Sequence, residues 1–329
     1  MRRVWLLALV VIAGCSKGGF SERRAAASGN ELRTTLAANP TTLDPSTVQD
    51  IETMDIIRNV FEGLVSWDEN NKLTPALADK WVMFPDGKTY TFHLQKGAKF
   101  HNGRAVEAAD VKYSLERACD PHRNSPTAAN YLSDIVGAKE MLAGKVRAIS
   151  GIKVVDTTTV QITIDAPRPY FLGKLTYACA CIVCREAVQG SNEISKIGEM
   201  VGTGPFMAEA LIPEQQFSMK AFDGYWGGRP KVDRVVELVM KDSQTRLGKF
   251  RSGEVQIAGI TRQDVPAIRK EFGDQVHLWP RPAVAYLALS PNGYAPFADR
   301  RVRRAVAMAI DTKKTVDLLS GTVNVAEAI

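Results

Sequence analysis

Apolar and polar positions recur with two periods along this chain, and the switches between them lay out its elements. Residues 89–94 alternate strictly, which puts Tyr90, Phe92 and Leu94 on the buried face of a strand and His93 on the other. Further strands are expected at 31–36, 64–73 (a strand and turn), 154–164 (with a turn at Asp156-Thr157), 175–183, 235–240, 255–260 and 286–289. Ile57, Val60, Phe61 and Leu64 repeat instead at i, i+3, i+4 and i+7, one stripe of a helix that Thr53 would cap and Gly63 would close. Helices are also expected over 108–118, 243–251 and 264–272. Another follows Asp299, its inward side made of Val302, Ala305, Val306, Ala309 and Ile310. Strands and helices mixed in this way predict an α/β protein with mixed sheets.

The first residues break that pattern. Arg2 and Arg3 precede a ten-residue apolar run, too short to span a bilayer, which ends in Ile12-Ala13-Gly14-Cys15. Small residues before a cysteine at this place resemble a bacterial lipobox. On that resemblance residues 1–15 are a lipoprotein signal peptide and Cys15 is the lipidation site. The alternative is an ordinary signal peptide with an incidental cysteine. Residues 16–30 are rich in Ser, Gly, Ala and charge without an apolar face, as suits a flexible tether.

At 329 residues, two lobes are a reasonable expectation. The formal charge of +6, two of it from Arg2 and Arg3, is too small and scattered to argue for nucleic acid. The run Arg300, Arg301, Arg303 and Arg304 reads as the exposed face of its helix. Beyond Cys15, the cysteines are Cys119, Cys179, Cys181 and Cys184. Thiolates this close together could suit zinc. In a strand, however, Cys179 and Cys181 would share one face with no histidine nearby, so buried or disulfide-paired cysteines are expected and no metal.

The stretch 201–233 looks at first like a site. Gly202 and Gly204 suggest a phosphate cradle, but Pro205 and Phe206 follow where a phosphate loop needs Lys-Ser/Thr. The two glycines read better as close-packing residues, and Tyr225 and Trp226 as anchors of a turn, with the Trp226 N–H requiring a partner. The chain carries no catalytic motif such as Gly-x-Ser-x-Gly or His-Glu-x-x-His.

Several short motifs, none specific alone, occur together in a telling order. They are Thr-Leu-Asp-Pro (42–45), Asn-Val-Phe-Glu-Gly-Leu-Val (59–65), Pro-Ala-Leu-Ala-Asp-Lys-Trp (75–81) and Phe-His-Asn-Gly (100–103). Val-Gly-Thr-Gly-Pro-Phe (201–206), Gly-Tyr-Trp-Gly-Gly-Arg-Pro-Lys-Val-Asp (224–233) and Ser-Gly-Glu-Val (252–255) follow. In this order the chain resembles the extracytoplasmic solute-binding proteins of family 5, the peptide/nickel class serving ABC importers, and most closely the oligopeptide-binding branch.

The resemblance implies a two-lobed, class II-like periplasmic-binding-protein fold with an extra subdomain in lobe one. Lobe one would comprise 31–61 and 183–286, the subdomain 62–182, and 287–329 the start of a second lobe. Family members continue beyond that point, so the resemblance implies a C-terminally truncated fragment with the second lobe largely missing, and weak or absent peptide binding by this chain. Ligand contacts would come from Gln49, Asp50, Ile51, Thr127, Tyr177 and Tyr286. Thr127 stands where relatives tend to have an aromatic residue. The implied partners are a peptide and the permease subunits, with the membrane reached only through the lipid anchor; a monomer without cofactor is expected, in the periplasm or cell envelope. The fold admits other cargo (nickel chelate, haem, sugar), and a non-functional remnant or a secreted hydrolase are the alternatives.

Overall fold

The computed structural model describes residues 30–188, 193–278, 286–319 and 323. Cys15 and the rest of the leader lie outside the described residues. In chain order the elements begin with β1 (Glu31–Leu36), α1 (Ile51–Val60), β2 (Val65–Trp67), β3 (Leu73–Pro75), β4 (Ala78–Met83) and β5 (Thr89–Leu94). Next come α2 (Ala108–Cys119), α3 (Ala128–Leu132), α4 (Ala138–Leu142), β6 (Ile152–Asp156), β7 (Thr159–Thr163) and α5 (Phe171–Lys174). The chain continues through β8 (Phe206–Ile212), β9 (Gln216–Ala221), β10 (Arg234–Val239), α6 (Ser243–Arg251), α7 (Val265–Phe272), α8 (Arg300–Ala309) and α9 (Thr312–Leu318).

Two four-stranded sheets carry the described fold, with a small β2–β3 pair beside them. The first has the order β1-β10-β9-β8 and is mixed: β1 runs parallel to β10, and the other pairs are antiparallel. The second, β4-β5-β7-β6, is antiparallel throughout. Each has its own core. Leu36, Ile56, Ile57, Val60, Phe61, Phe217, Met219 and Val235 pack between α1 and the mixed sheet. Tyr90, Phe92, Leu94, Val111, Leu115, Leu132, Val160, Ile162 and Phe171 pack between α2 and the antiparallel sheet. The strict alternation at 89–94 has the expected result, with Tyr90, Phe92 and Leu94 buried and Thr89, Thr91 and His93 half-buried.

The two cores are joined by a buried ion pair. Arg117 of α2 donates to both carboxylate oxygens of Asp44 in the Leu-Asp-Pro turn, one bond measuring 2.9 Å. The Ile194 amide (3.0 Å) and the Ser46 amide (2.9 Å) and hydroxyl (2.7 Å) also donate to that carboxylate. Burial opposes ionisation of Asp44, but these donors outweigh it and hold the carboxyl below its ordinary range.

Four expectations are corrected. First, α1 starts a turn early: Asp50, not Thr53, is its N-cap, accepting the Thr53 amide at 2.8 Å and the Thr53 hydroxyl at 2.8 Å. The carboxylate is the better acceptor, and Thr53 is left buried inside the first turn. Second, residues 175–183 form no strand. A short 3-10 turn at Ala178–Ala180 rotates the chain, so Cys179 enters the α2 core and Cys181 the α1 core rather than sharing a face. Cys119, Cys179, Cys181 and Cys184 are buried free thiols. Third, residues 255–260 lie beside β1 without a ladder. Gln256 and Ile257 both donate to the Arg33 carbonyl, while the Gln256 side chain accepts the Arg33 amide at 2.7 Å and displaces a main-chain partner. Fourth, residues 286–289 are not a strand. Helix α8 does form, with Asp299 as its N-cap, but none of its residues is buried.

Candidate functional site

The seam between the two cores gathers most of the residues singled out from the sequence. Asp50 caps α1 there and also accepts the Thr41 hydroxyl at 2.5 Å. Burial raises its proton affinity, but the Thr41 and Thr53 donors outweigh that, so Asp50 stays ionised well below the usual carboxylate range. Its neighbours Gln49 and Ile51 are exposed, Ile51 to 54%. Tyr177 lies across the seam and packs against both cores. Its ring stacks on Tyr131 of α3 with centroids 3.8 Å apart and planes at 14°. Burial raises the Tyr177 phenol, helped by Tyr131, and the charges of Arg58 and Asp50 reach it with opposite signs. Thr127 is buried at the N-terminus of α3, where its carbonyl accepts the Tyr131 amide at 3.1 Å.

The structure thus brings Tyr177 to the seam within reach of the Asp50 charge, with Thr127 one turn before the Tyr131 on which Tyr177 stacks and Gln49 and Ile51 exposed beside Asp50. Tyr286 stands apart. It is 71% exposed, and among the described residues no hydrogen bond or ring contact joins it to the others. Tyr131 was missed by sequence reasoning. Its aromatic position four residues after Thr127 on a helix was the available signal.

Behind the seam, the stretch 201–233 is held by a buried carboxylate that the sequence reading passed over. Glu62 accepts from the Thr203 hydroxyl (3.0 Å), the Tyr225 hydroxyl (2.9 Å) and the Trp226 indole N–H (3.0 Å). Its backbone carbonyl takes the Ile182 amide at 2.8 Å. Burial raises the Glu62 carboxyl above its ordinary value, and the three donors only partly offset this. A glutamate within an otherwise apolar Val-Phe-Glu-Gly-Leu-Val run was the signal for it.

His101 clamps the same stretch. Its Nδ1 accepts the Gly202 amide at 3.3 Å, which makes Nε2 the protonated nitrogen that donates to the Gly204 carbonyl at 3.0 Å. Burial keeps this imidazole neutral by lowering its pKa. Gly202 and Gly204 are close-approach residues: a Cβ on Gly204 would lie 2.5 Å from the Asn59 carbonyl oxygen. Tyr225 and Trp226 thus anchor the fold.

Burial pushes the Cys179 and Cys181 thiols up to about 12, which leaves them poor nucleophiles. Among the described residues, no group of three or more His, Cys, Asp or Glu side chains could hold a metal ion. None of the described helices is long and apolar enough to cross a membrane.

Comparison with known proteins gives these features a family. The model for "Bacterial extracellular solute-binding proteins, family 5 Middle" matches residues 72–329, well over half of the chain. The chain belongs to that family. Among its curated relatives, a probable deoxycholate-binding periplasmic protein of Escherichia coli is 30% identical over 313 residues, covering 94% of this chain and 58% of the relative. The periplasmic oligopeptide-binding protein OppA of the same organism is 30% identical over 279 residues, covering 82% of this chain and 50% of the relative. The E. coli murein tripeptide-binding protein MppA superposes with a TM-score of 0.78 at 26% identity, over 87% of this chain and 57% of that one. Haemophilus influenzae OppA in complex with RPPGFSPFR gives 0.77 at 25%, over 88% and 57%. The family 5 fold is therefore shared, and the chain spans little more than half the length of the relatives it matches.

Proposed function

We propose that this chain is the extracytoplasmic solute-binding component of an ABC importer, capturing oligopeptides or dipeptides and delivering them to a membrane permease. The observation that carries the reading is the seam itself. Tyr177 packs against both cores, stacks on Tyr131 and feels the charge of Asp50, with Gln49 and Ile51 exposed next to Asp50, which supports this reading. An extended peptide can satisfy its backbone through main-chain and water contacts, while an ionised Asp50 offers a partner for an ammonium group. Tyr286 belongs to the same proposed set of contacts. In this reading residues 31–61 and 183–286 are lobe one, 62–182 the added subdomain, and 287–329 the start of lobe two. Lipidation at Cys15 would tether a monomer to the cell envelope.

Ligand-observed NMR with a pool of di- to pentapeptides tests this reading. Saturation transfer to the peptides, lost in a Tyr177→Ala variant that circular dichroism shows to be still folded, is the expected outcome. Transfer that survives this substitution would remove Tyr177 from the site, and no transfer to any peptide would overturn the peptide reading for this chain.

A further inference from the structure

Away from the seam, a cavity of about 290 Å³ opens where β2, β3 and α5 meet. Trp67, Leu73, Tyr131, Pro169, Tyr170 and Lys174 line it. Gly173 keeps room beside the indole, since a Cβ there would come within 3.1 Å of Trp67. Trp67 and Tyr170 remain 43% and 57% exposed, so apolar ring surface faces water in a concave site, the arrangement that favours a flat apolar ligand. The volume is at the low end for small-molecule pockets and suits one ring system.

Charge adds a second requirement. Lys174 is the pocket's cation, with its ammonium 5.2 Å from the Tyr170 ring centroid and 2.7 Å from Asp134. Asp134 is shared with Arg168 at 2.9 Å; Arg168 reaches Asp165 at 2.7 Å, and Asp165 takes Lys139 at 2.9 Å. Among the described residues three cations thus share two carboxylates, so the chain of pairs that ends in Lys174 at the apolar wall carries one positive charge more than negative. We propose that this pocket binds a small aromatic carboxylate, its ring against Trp67, Tyr131 and Tyr170 and its carboxylate on the Lys174 ammonium. The proposal is independent of the peptide reading, because the pocket lies outside the Asp50–Tyr177 group and only Tyr131 borders both.

The test titrates 3-phenylpropionate into the full 329-residue chain by calorimetry, beside 3-phenylpropan-1-ol, which has the same ring and chain without the charge. The acid is expected to bind about tenfold more tightly than the alcohol, as a charge-assisted hydrogen bond gives. Tyr170→Ala weakens both ligands. Lys174→Met removes the preference for the acid and keeps the alcohol's affinity. Both variants should retain the wild-type melting temperature, since Tyr170 is exposed and Asp134 keeps Arg168. Equal affinity for acid and alcohol would overturn the proposal. So would no saturable binding at millimolar concentration, or binding of the acid that neither substitution changes.

Discussion

Gly202 passes so close to the end of α1 that a Cβ there would lie 1.9 Å from the Val60 carbonyl oxygen, whereas none of the described residues lies within 4 Å of one on Gly198. The obstacle is backbone, which cannot swing aside as a side chain can. Gly202→Ala is therefore expected to destabilise the fold by about 3 kcal/mol or more, and Gly198→Ala by less than about 0.5, in urea denaturation. Glu237 poses a different single-residue problem. It projects from β10 into the α1 core opposite Phe217, and its Oε2 has no hydrogen-bond partner among the described residues. Burial first, and the Asp55 charge second, push its carboxyl up to about 7. A proton is thus held more tightly in the fold than in the unfolded chain. The contribution of Glu237 to stability is full below pH 4.5 and is lost as the pH rises through about 7. Glu237→Gln should raise stability at pH 8 by about 1–3 kcal/mol and flatten that decline. A variant whose stability still falls by the same amount from pH 4.5 to 8 would show that Glu237 is not its source. His101 works in the opposite sense: its lowered pKa gives a contribution present above pH 6.5 that is lost on acidification.

Among the elements, regular strands with two-faced burial were the most legible. Alternation at 89–94 settles both the element and its buried side, because a strand shifted by one residue would bury Thr89, Thr91 and His93. Residues 175–183 misled for the converse reason. A short apolar run between two cores is buried on every side, so its hydrophobicity carries no period, and a 3-10 turn satisfies its amides as well as a ladder would. The turn carrying Tyr225 and Trp226 was legible as an anchor, but its partner was not, since Glu62 lies more than a hundred and sixty residues away in sequence. Trp226→Ala removes one of three donors to a buried carboxylate together with packing against the α2 core. It is expected to cost about 2–3 kcal/mol and to lower the melting temperature while peptide transfer in NMR persists. Unchanged stability with lost transfer would instead place this turn in the binding site.

At the scale of the whole molecule, the Asp44–Arg117 pair joins two cores that otherwise belong to different sheets. Both side chains are almost fully buried, so removing one strands the other's charge. Asp44→Ala or Arg117→Met alone should cost about 3–5 kcal/mol, and the double variant clearly less than their sum. Additive losses in that cycle would mean that each residue acts through its other partners. The pair also bears on function, because it holds α2 against the turn that leads into Asp50. Loosening it should weaken peptide contact at the seam without touching any proposed ligand residue.

The amino-acid sequence by itself determined the alternation of strands and helices, the buried face of β5, the close-packing glycines and, through motifs in a fixed order, membership of family 5. Local periodicity and backbone sterics decide such features, and both are written in neighbouring residues. The tertiary structure alone decided which polar groups meet: Glu62 with Thr203, Tyr225 and Trp226, Asp44 with Arg117, and Tyr131 with Tyr177. A lone glutamate, arginine or tyrosine in sequence is compatible with a solvated surface. Only the folded chain, by removing water, obliges each to find a partner that may stand at any distance along it.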